Sequence, residues 1–165
     1  MKTLYLLRHA KSSSDNPDLA DFDRPLNERG YTEAHLVSKA LHEKKIVPEI
    51  LISSPAIRAL STALIFAVNL KFPVDEIQIR RKLYDSSVHD YLKCIAEVES
   101  GTSLLLAGHN ETITETAQKL SGQRIIEMKT SCIVALEFDA DSWKDVVHLK
   151  GKLVFNIGPE AIKNR

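Results

Sequence analysis

The run Leu4-Tyr5-Leu6-Leu7-Arg8-His9-Ala10-Lys11-Ser12 decides how this chain folds. From Leu4 to Leu7 there is no polar alternation, the pattern of a short strand covered on both faces in a parallel sheet. Arg8 and His9 stand where that strand ends. In open α/β sheets ligands bind beyond the carboxyl ends of the strands, so a guanidinium beside an imidazole here is a candidate anion site with a nucleophile or base. By itself the pair says little. Arg-His is a common dipeptide, and a surface arginine next to a satisfied histidine is the simpler reading of it.

Outward from this strand, short apolar runs alternate with longer amphipathic ones, which predicts an α/β three-layer αβα sandwich. Ser12 to Asp23 is polar and acidic, with Asp15, Asp18, Asp21 and Asp23 around Pro17, and reads as a solvated loop forming a rim or lid over the strand ends. Asn27 is placed to cap a helix through about Lys44, whose apolar face is Tyr31, Ala34, Leu36, Val37, Ala40 and Leu41, with Gly30 a blemish in its first turn. Ile50 to Ser53 reads as a second strand, and Pro55 opens a helix to about Asn69. A weak third strand spans Glu76 to Arg80, and Ser86 or Ser87 caps a helix over Val88 to Val98. Ser103 to Ala107 is a core strand left through Gly108-His109-Asn110 into a helix ending near Gly122. Ile133 to Phe138 and Val146 to Phe155 flank an Asp-rich turn and predict an antiparallel hairpin at the margin of a mostly parallel sheet.

Composition narrows the partners. With 165 residues, 44% of them hydrophobic, the chain suits a single domain over 1–165. Twenty-two basic and twenty-two acidic residues cancel, so no global field favours nucleic acid or an anionic membrane, and any anion specificity is local. Cys94 and Cys132, in predicted helix and strand, show no CxxC or metal-ligand spacing and read as reduced packing thiols, as in a reducing compartment. No run reaches the length of a membrane span, and Met1-Lys2-Thr3 leads into a strand rather than a signal-peptide core, so a cytoplasmic monomer is the expectation.

Three strand exits carry cationic or potentially cationic groups. Arg8 and His9 follow the first strand, Arg58 follows the second through Ser53-Ser54-Pro55, and His109 follows the fourth. In a parallel sheet these exits share one edge. Two guanidinium forks suit phosphoryl oxygens, and nearby helix starts add N–H donors. An unprotonated imidazole in such a pocket can itself be phosphorylated, while a second histidine stabilises the group in transfer. These cations can do electrostatically what magnesium does elsewhere, so the scheme calls for no metal or cofactor, and the chain carries no P-loop.

In this order the motifs resemble the histidine phosphatase superfamily, also called the phosphoglycerate mutase-like fold, over almost the whole chain. Leu7-Arg8-His9-Ala10 is similar to the opening Arg-His-Gly signature with Ala for Gly. Ser53-Ser54-Pro55 with Arg58 and Thr62 resembles the second signature, and Gly108-His109-Asn110 the third. Arg24-Pro25-Leu26-Asn27 with Gly30, and Lys129-Thr130-Ser131-Cys132-Ile133 before a terminal hairpin, look most like the SixA-type phosphohistidine phosphatases, of bacterial origin. The resemblance implies His9 as the phosphorylated nucleophile, Arg8 and Arg58 as phosphate clamps, and His109 as the second pocket histidine. Two stretches depart from relatives: Ser14-Asp15 replaces an aromatic and a polar residue at the pocket rim, where Lys11 could also add charge. Leu83-Tyr84-Asp85 stands where larger members place a carboxylic acid, making Asp85 a candidate proton donor.

The expected function is a metal-independent phosphatase acting through a phosphohistidine intermediate on His9, with phosphohistidine on a signalling protein as substrate. Imidazole leaves with a conjugate-acid pKa of roughly 6.5, so it needs little acid help; an alkoxide needs much. The alternatives are a small-molecule phosphomonoesterase acting on a phosphate ester with Asp85 as acid, and a non-catalytic phosphate-binding module.

Overall fold

The computed structural model describes residues 1–164. Along the chain run β1 (Lys2–Arg8), α1 (Glu28–Glu43), β2 (Ile50–Ser53), α2 (Ile57–Asn69), β3 (Gln78–Ile79) and α3 (Val88–Ala96). There follow β4 (Ser103–Gly108), α4 (Thr112–Ser121), β5 (Ile133–Phe138), α5 (Trp143–Val146), β6 (Lys152–Ile157) and α6 (Pro159–Lys163). The strands form one sheet in the order β3-β2-β4-β1-β5-β6. β1, β2, β3 and β4 pair in parallel, whereas β5 is antiparallel to both β1 and β6. The expected sandwich, mostly parallel with an antiparallel margin, is therefore the observed one.

Alternation along the central strands divides the core in two. Leu4, Leu6, Leu104 and Leu106 pack under α3, α4 and α5 with Tyr91, Ile95, Ile113, Ala117 and Trp143. Leu7, Leu105 and Ala107 face α1 and α2 with Ala34, Val37, Leu41, Ala63 and Phe66. Each leucine in these layers is fully buried, contributing about 1.5–3 kcal/mol. This double coverage is why β1 and β4 read as continuous apolar runs.

Two local predictions need correction. The stretch from Val146 is not strand: Ser142 caps a helical turn by accepting from the Asp145 N–H, and β6 begins only at Lys152. Trp143 drives the detour, burying its ring while its indole N–H is shared between the Ser100 and Gly101 carbonyls at 3.2 and 3.0 Å. The third strand shrinks to Gln78–Ile79, an exposed edge pairing. Helix ends also move by a residue or two: α2 starts at Ile57, and α3 ends at Ala96 after a capping box between Ser87 and Asp90. Cys132 lies just before β5.

Gly30 is a requirement rather than a blemish. A Cβ there would collide with the Lys11 carbonyl oxygen. That same carbonyl accepts the Asn27 N–H at 3.0 Å, and the Asn27 side chain caps α1 through the Gly30 N–H at 2.8 Å. The start of α1 is thereby held against the exit of β1.

Candidate active site

Parallel register brings the three predicted exits together. Arg8 lies opposite Gly108 and Ser53 opposite Ala107. Beyond the strands, His9 N–H donates to the Gly108 carbonyl at 3.1 Å and Ser54 N–H to the Ala107 carbonyl at 3.0 Å. The imidazoles of His9 and His109 consequently meet, with ring centroids 5.2 Å apart.

A backbone contact sets the state of the His9 ring, and a hydroxyl engages that of His109. His9 Nδ1 lies 2.7 Å from the Ala10 carbonyl oxygen. A carbonyl can only accept, so Nδ1 carries the hydrogen and, in the neutral ring, Nε2 keeps its lone pair. Ala10 is itself held by donating its N–H to Thr62 Oγ1 at 2.9 Å, and the Thr62 hydroxyl donates to the Arg58 carbonyl at 2.6 Å. Thr62 thus ties the β1 exit to the first turns of α2. His109 Nε2 sits 2.7 Å from Ser54 Oγ, and its backbone N–H donates to the buried Tyr91 hydroxyl at 2.9 Å. Gly108 is needed here too, because a Cβ would strike that hydroxyl.

Arg8 donates through one terminal nitrogen to the Met128 carbonyl at 2.7 Å. Among the described residues four buried side-chain atoms have no hydrogen-bond partner: Arg8 Nε, Ser86 Oγ, His109 Nδ1 and Ser131 Oγ. Ser131 reaches His9 through its backbone, donating to the His9 carbonyl at 3.2 Å from a left-handed conformation of φ 63°. Unsatisfied buried polar atoms are uncommon, and three of the four belong to residues that adjoin His9 in the chain, stack on its ring or bond to its carbonyl. A cavity of about 270 Å³ lined by Arg29, Glu33, Met128, Lys129 and Cys132 includes neither histidine.

Both imidazoles are held neutral. Burial, aided by the charges of Arg58 and Arg8 and, for His9, by its neighbour His109, outweighs the Ala10 hydrogen bond and lowers His9 to about 3. Burial and the same arginines lower His109 to about 4, against the opposing pull of Asp21. Stability should follow. Below the unfolded value of roughly 6.5 the unfolded chain takes up protons at these rings and the folded chain does not, so their contribution is complete above that pH and is lost as pH falls toward 3. Urea midpoints should decline from pH 7 to pH 4, by on the order of 1 kcal/mol per histidine for each pH unit. A His9→Asn/His109→Asn variant should show a shallower decline; identical slopes would refute the assignment.

Outside this cluster, Lys11, Ser14 and Asp15 are exposed. Asp85 is exposed as well, at φ 48°, with no side-chain hydrogen bond or ion pair among the described residues. What the sequence reading missed is Asp21, one aspartate of an acidic run without distinguishing spacing. Its backbone carbonyl accepts from one Arg58 terminal nitrogen at 2.7 Å and its carboxylate from the other at 2.9 Å. Tyr84 was also passed over; its ring packs edge-on against His109, centroids 5.6 Å apart. Among the described residues no group of three or more His, Cys, Asp or Glu side chains could hold a metal ion, and no helix is long and apolar enough to cross a membrane.

A sequence profile of the histidine phosphatase superfamily (branch 1) matches residues 4–97, more than half of the chain and the part that contains Arg8, His9 and Arg58. The chain belongs to this superfamily. The histidine phosphatase is 30% identical over 159 residues to an uncharacterised chloroplastic protein of Arabidopsis thaliana, covering 91% of this chain and 72% of that one. Its fold resembles a structure from Agrobacterium tumefaciens provisionally assigned as the phosphohistidine phosphatase SixA, with 27% identity, a TM-score of 0.83 and coverage of 96% and 98% of the two chains. The protein histidine phosphatase SixA complexed with tungstate shares the fold at the same TM-score and coverage, with 20% identity. This histidine phosphatase is accordingly a phosphatase enzyme of the SixA-like structural group.

Proposed function

We infer that this phosphatase removes phosphoryl groups from phosphohistidine on a protein, by way of a phosphoryl group carried on His9. The observation that carries the reading is the 2.7 Å contact of His9 Nδ1 with the Ala10 carbonyl. It leaves Nε2 as the nucleophile, in a ring that burial keeps unprotonated at neutral pH. The Nε2 lone pair attacks phosphorus while the substrate's P–N bond breaks; the leaving imidazole keeps that electron pair and takes a proton from solvent. Water then attacks the phosphoryl group on His9, the enzyme's P–N bond breaks, and phosphate departs. Arg8 and Arg58 bind the equatorial oxygens and supply the positive charge, while the neutral His109 bears on the same group.

Substrate class follows from the leaving group. Imidazole departs readily, whereas an alkoxide has to be protonated as it leaves. An exposed, unpartnered Asp85 suits the first case, and the similarity to the Agrobacterium structure points the same way. A small-molecule phosphomonoesterase would need Asp85 as its acid; its place next to Tyr84, which packs on His109, is what favours that second reading. A non-catalytic phosphate-binding module would have no use for a histidine kept neutral with a free Nε2. The reading includes a single domain acting as a monomer in the cytoplasm.

Turnover on a phosphohistidine protein and on a panel of phosphate monoesters, measured side by side, tests the substrate. In the same assay Asp85→Asn should change kcat/KM on phosphohistidine protein by less than about tenfold, well under the 10²–10⁴ of a true general acid. Wild type preferring an alkyl phosphate, together with a loss of about a hundredfold on it in Asp85→Asn, would transfer the assignment to the phosphomonoesterase.

A further inference from the structure

Asp21 makes more contacts to the pocket than a loop carboxylate ordinarily does. It sits in a single 3-10 turn, Asp21–Asp23, within the segment that crosses above the strand exits. Its two oxygens are divided: Oδ1 pairs with Arg24 on the outer side at 3.0 Å, while Oδ2 accepts from Arg58 at 2.9 Å and from the Tyr84 hydroxyl at 2.9 Å. The neighbouring residue extends the contact, since Phe22 packs edge-on against Tyr84 at 5.0 Å between centroids, and Tyr84 packs in turn against His109. Arg81 covers both aromatic rings at 5.4 Å.

An exposed ion pair usually contributes little, and the Asp21 side chain is 52% exposed. Arg58 is the reason this pair differs. Its side chain is only 10% exposed, and it is gripped at both terminal nitrogens, one by a backbone carbonyl and one by a carboxylate. Two-point contact of this kind fixes the plane of a guanidinium and not merely its charge. It leaves Nε and the remaining terminal N–H bonds for another acceptor. The Tyr84 bond fixes a second direction, that of the ring against His109.

We propose that Asp21 is a positioning residue: it orients Arg58 toward the phosphoryl group and sets Tyr84 against His109, so that the acidic loop forms a wall of the phosphate pocket. This deepens the proposed function and rests on Arg58 being a phosphate ligand. The carboxyl is suited to the task because it stays ionised: burial works against this, but the Tyr84 hydrogen bond and then the bond and charge of Arg58 prevail, lowering its pKa.

The test is a double-mutant cycle on phosphohistidine protein with Asp21→Ala, Asp21→Asn, Arg58→Lys and the Asp21→Ala/Arg58→Lys pair. Asp21→Ala should lower kcat/KM by about ten- to a hundredfold, as expected when a ligand is misaligned without being removed. Asp21→Asn should recover most of this, because its amide oxygen can still accept from Arg58 and Tyr84. Once Arg58 is lysine there is no fork to orient and only the setting of Tyr84 remains to be lost, so adding Asp21→Ala should cost less than about a further threefold. Asp21→Ala within about twofold of wild type, an Asp21→Asn as impaired as Asp21→Ala, or losses that multiply in the pair would each overturn the proposal. A full-activity Arg58→Lys would instead remove Arg58 from the phosphate pocket, and the positioning role with it. The two failures are distinct, because only the second leaves the arginine dispensable.

Discussion

His9→Ala is expected to end turnover, with a loss on the order of 10⁶-fold, the scale seen when a covalent catalyst loses its nucleophile. No other side chain in the cluster can substitute. His109 has its Nε2 engaged by Ser54 and its Nδ1 buried, and the arginines carry no lone pair to offer. The fold should survive, because the polar bonds of the imidazole go no further than the carbonyl of the next residue and the β1 ladder is made by backbone. Wild type quenched during turnover should yield a phosphoenzyme that is labile in acid and stable in alkali, as a phosphoramidate is, with label mapping to His9. His9→Ala should take up none. Label on a serine or on Asp85 would sink the assignment.

Arg8→Lys and Arg58→Lys should each cost about two to four kcal/mol of transition-state stabilisation, by analogy with the loss of one preorganised oxyanion donor. The physical reason is geometric. Each arginine is already anchored, Arg8 on the Met128 carbonyl and Arg58 on Asp21, with further N–H bonds left over for a phosphoryl oxygen. An ammonium keeps the charge but cannot be held in one plane while donating in another direction. The loss should therefore fall mainly in kcat, with the melting temperature little changed. Activity of the wild type should also survive EDTA. Loss on chelation, restored by magnesium, would show a metal supplying charge assigned here to side chains.

The candidate cluster was legible because its residues stand at strand ends. Apolar blocks such as Leu4–Leu7 and Ser103–Ala107 reveal themselves by composition, and Arg8, Arg58 and His109 follow such blocks at short, fixed distances. Parallel pairing then leaves them no option but to share an edge. The terminal hairpin was legible only in outline. Its second strand begins at Lys152 because Ser142 and Trp143 first form a helical turn, and that turn exists because an indole finds two carbonyls, Ser100 and Gly101, some forty residues away.

By itself, then, the sequence determined the layered fold and the parallel core with its antiparallel margin, and it led to the expectation that Arg8, His9, Arg58 and His109 share one strand edge, since each depends on local pattern and chain direction. Tertiary structure alone decided the rest. Gly30 became necessary only when α1 met the Lys11 carbonyl, the His9 tautomer was set by where the Ala10 carbonyl points, and the imidazoles became neutral through burial. Above all, nothing in the run from Asp15 to Asp23 sets Asp21 apart, because what singles it out is the approach of Arg58 and Tyr84 from positions 37 and 63 residues away, and contacts of that range leave no periodic trace in a sequence.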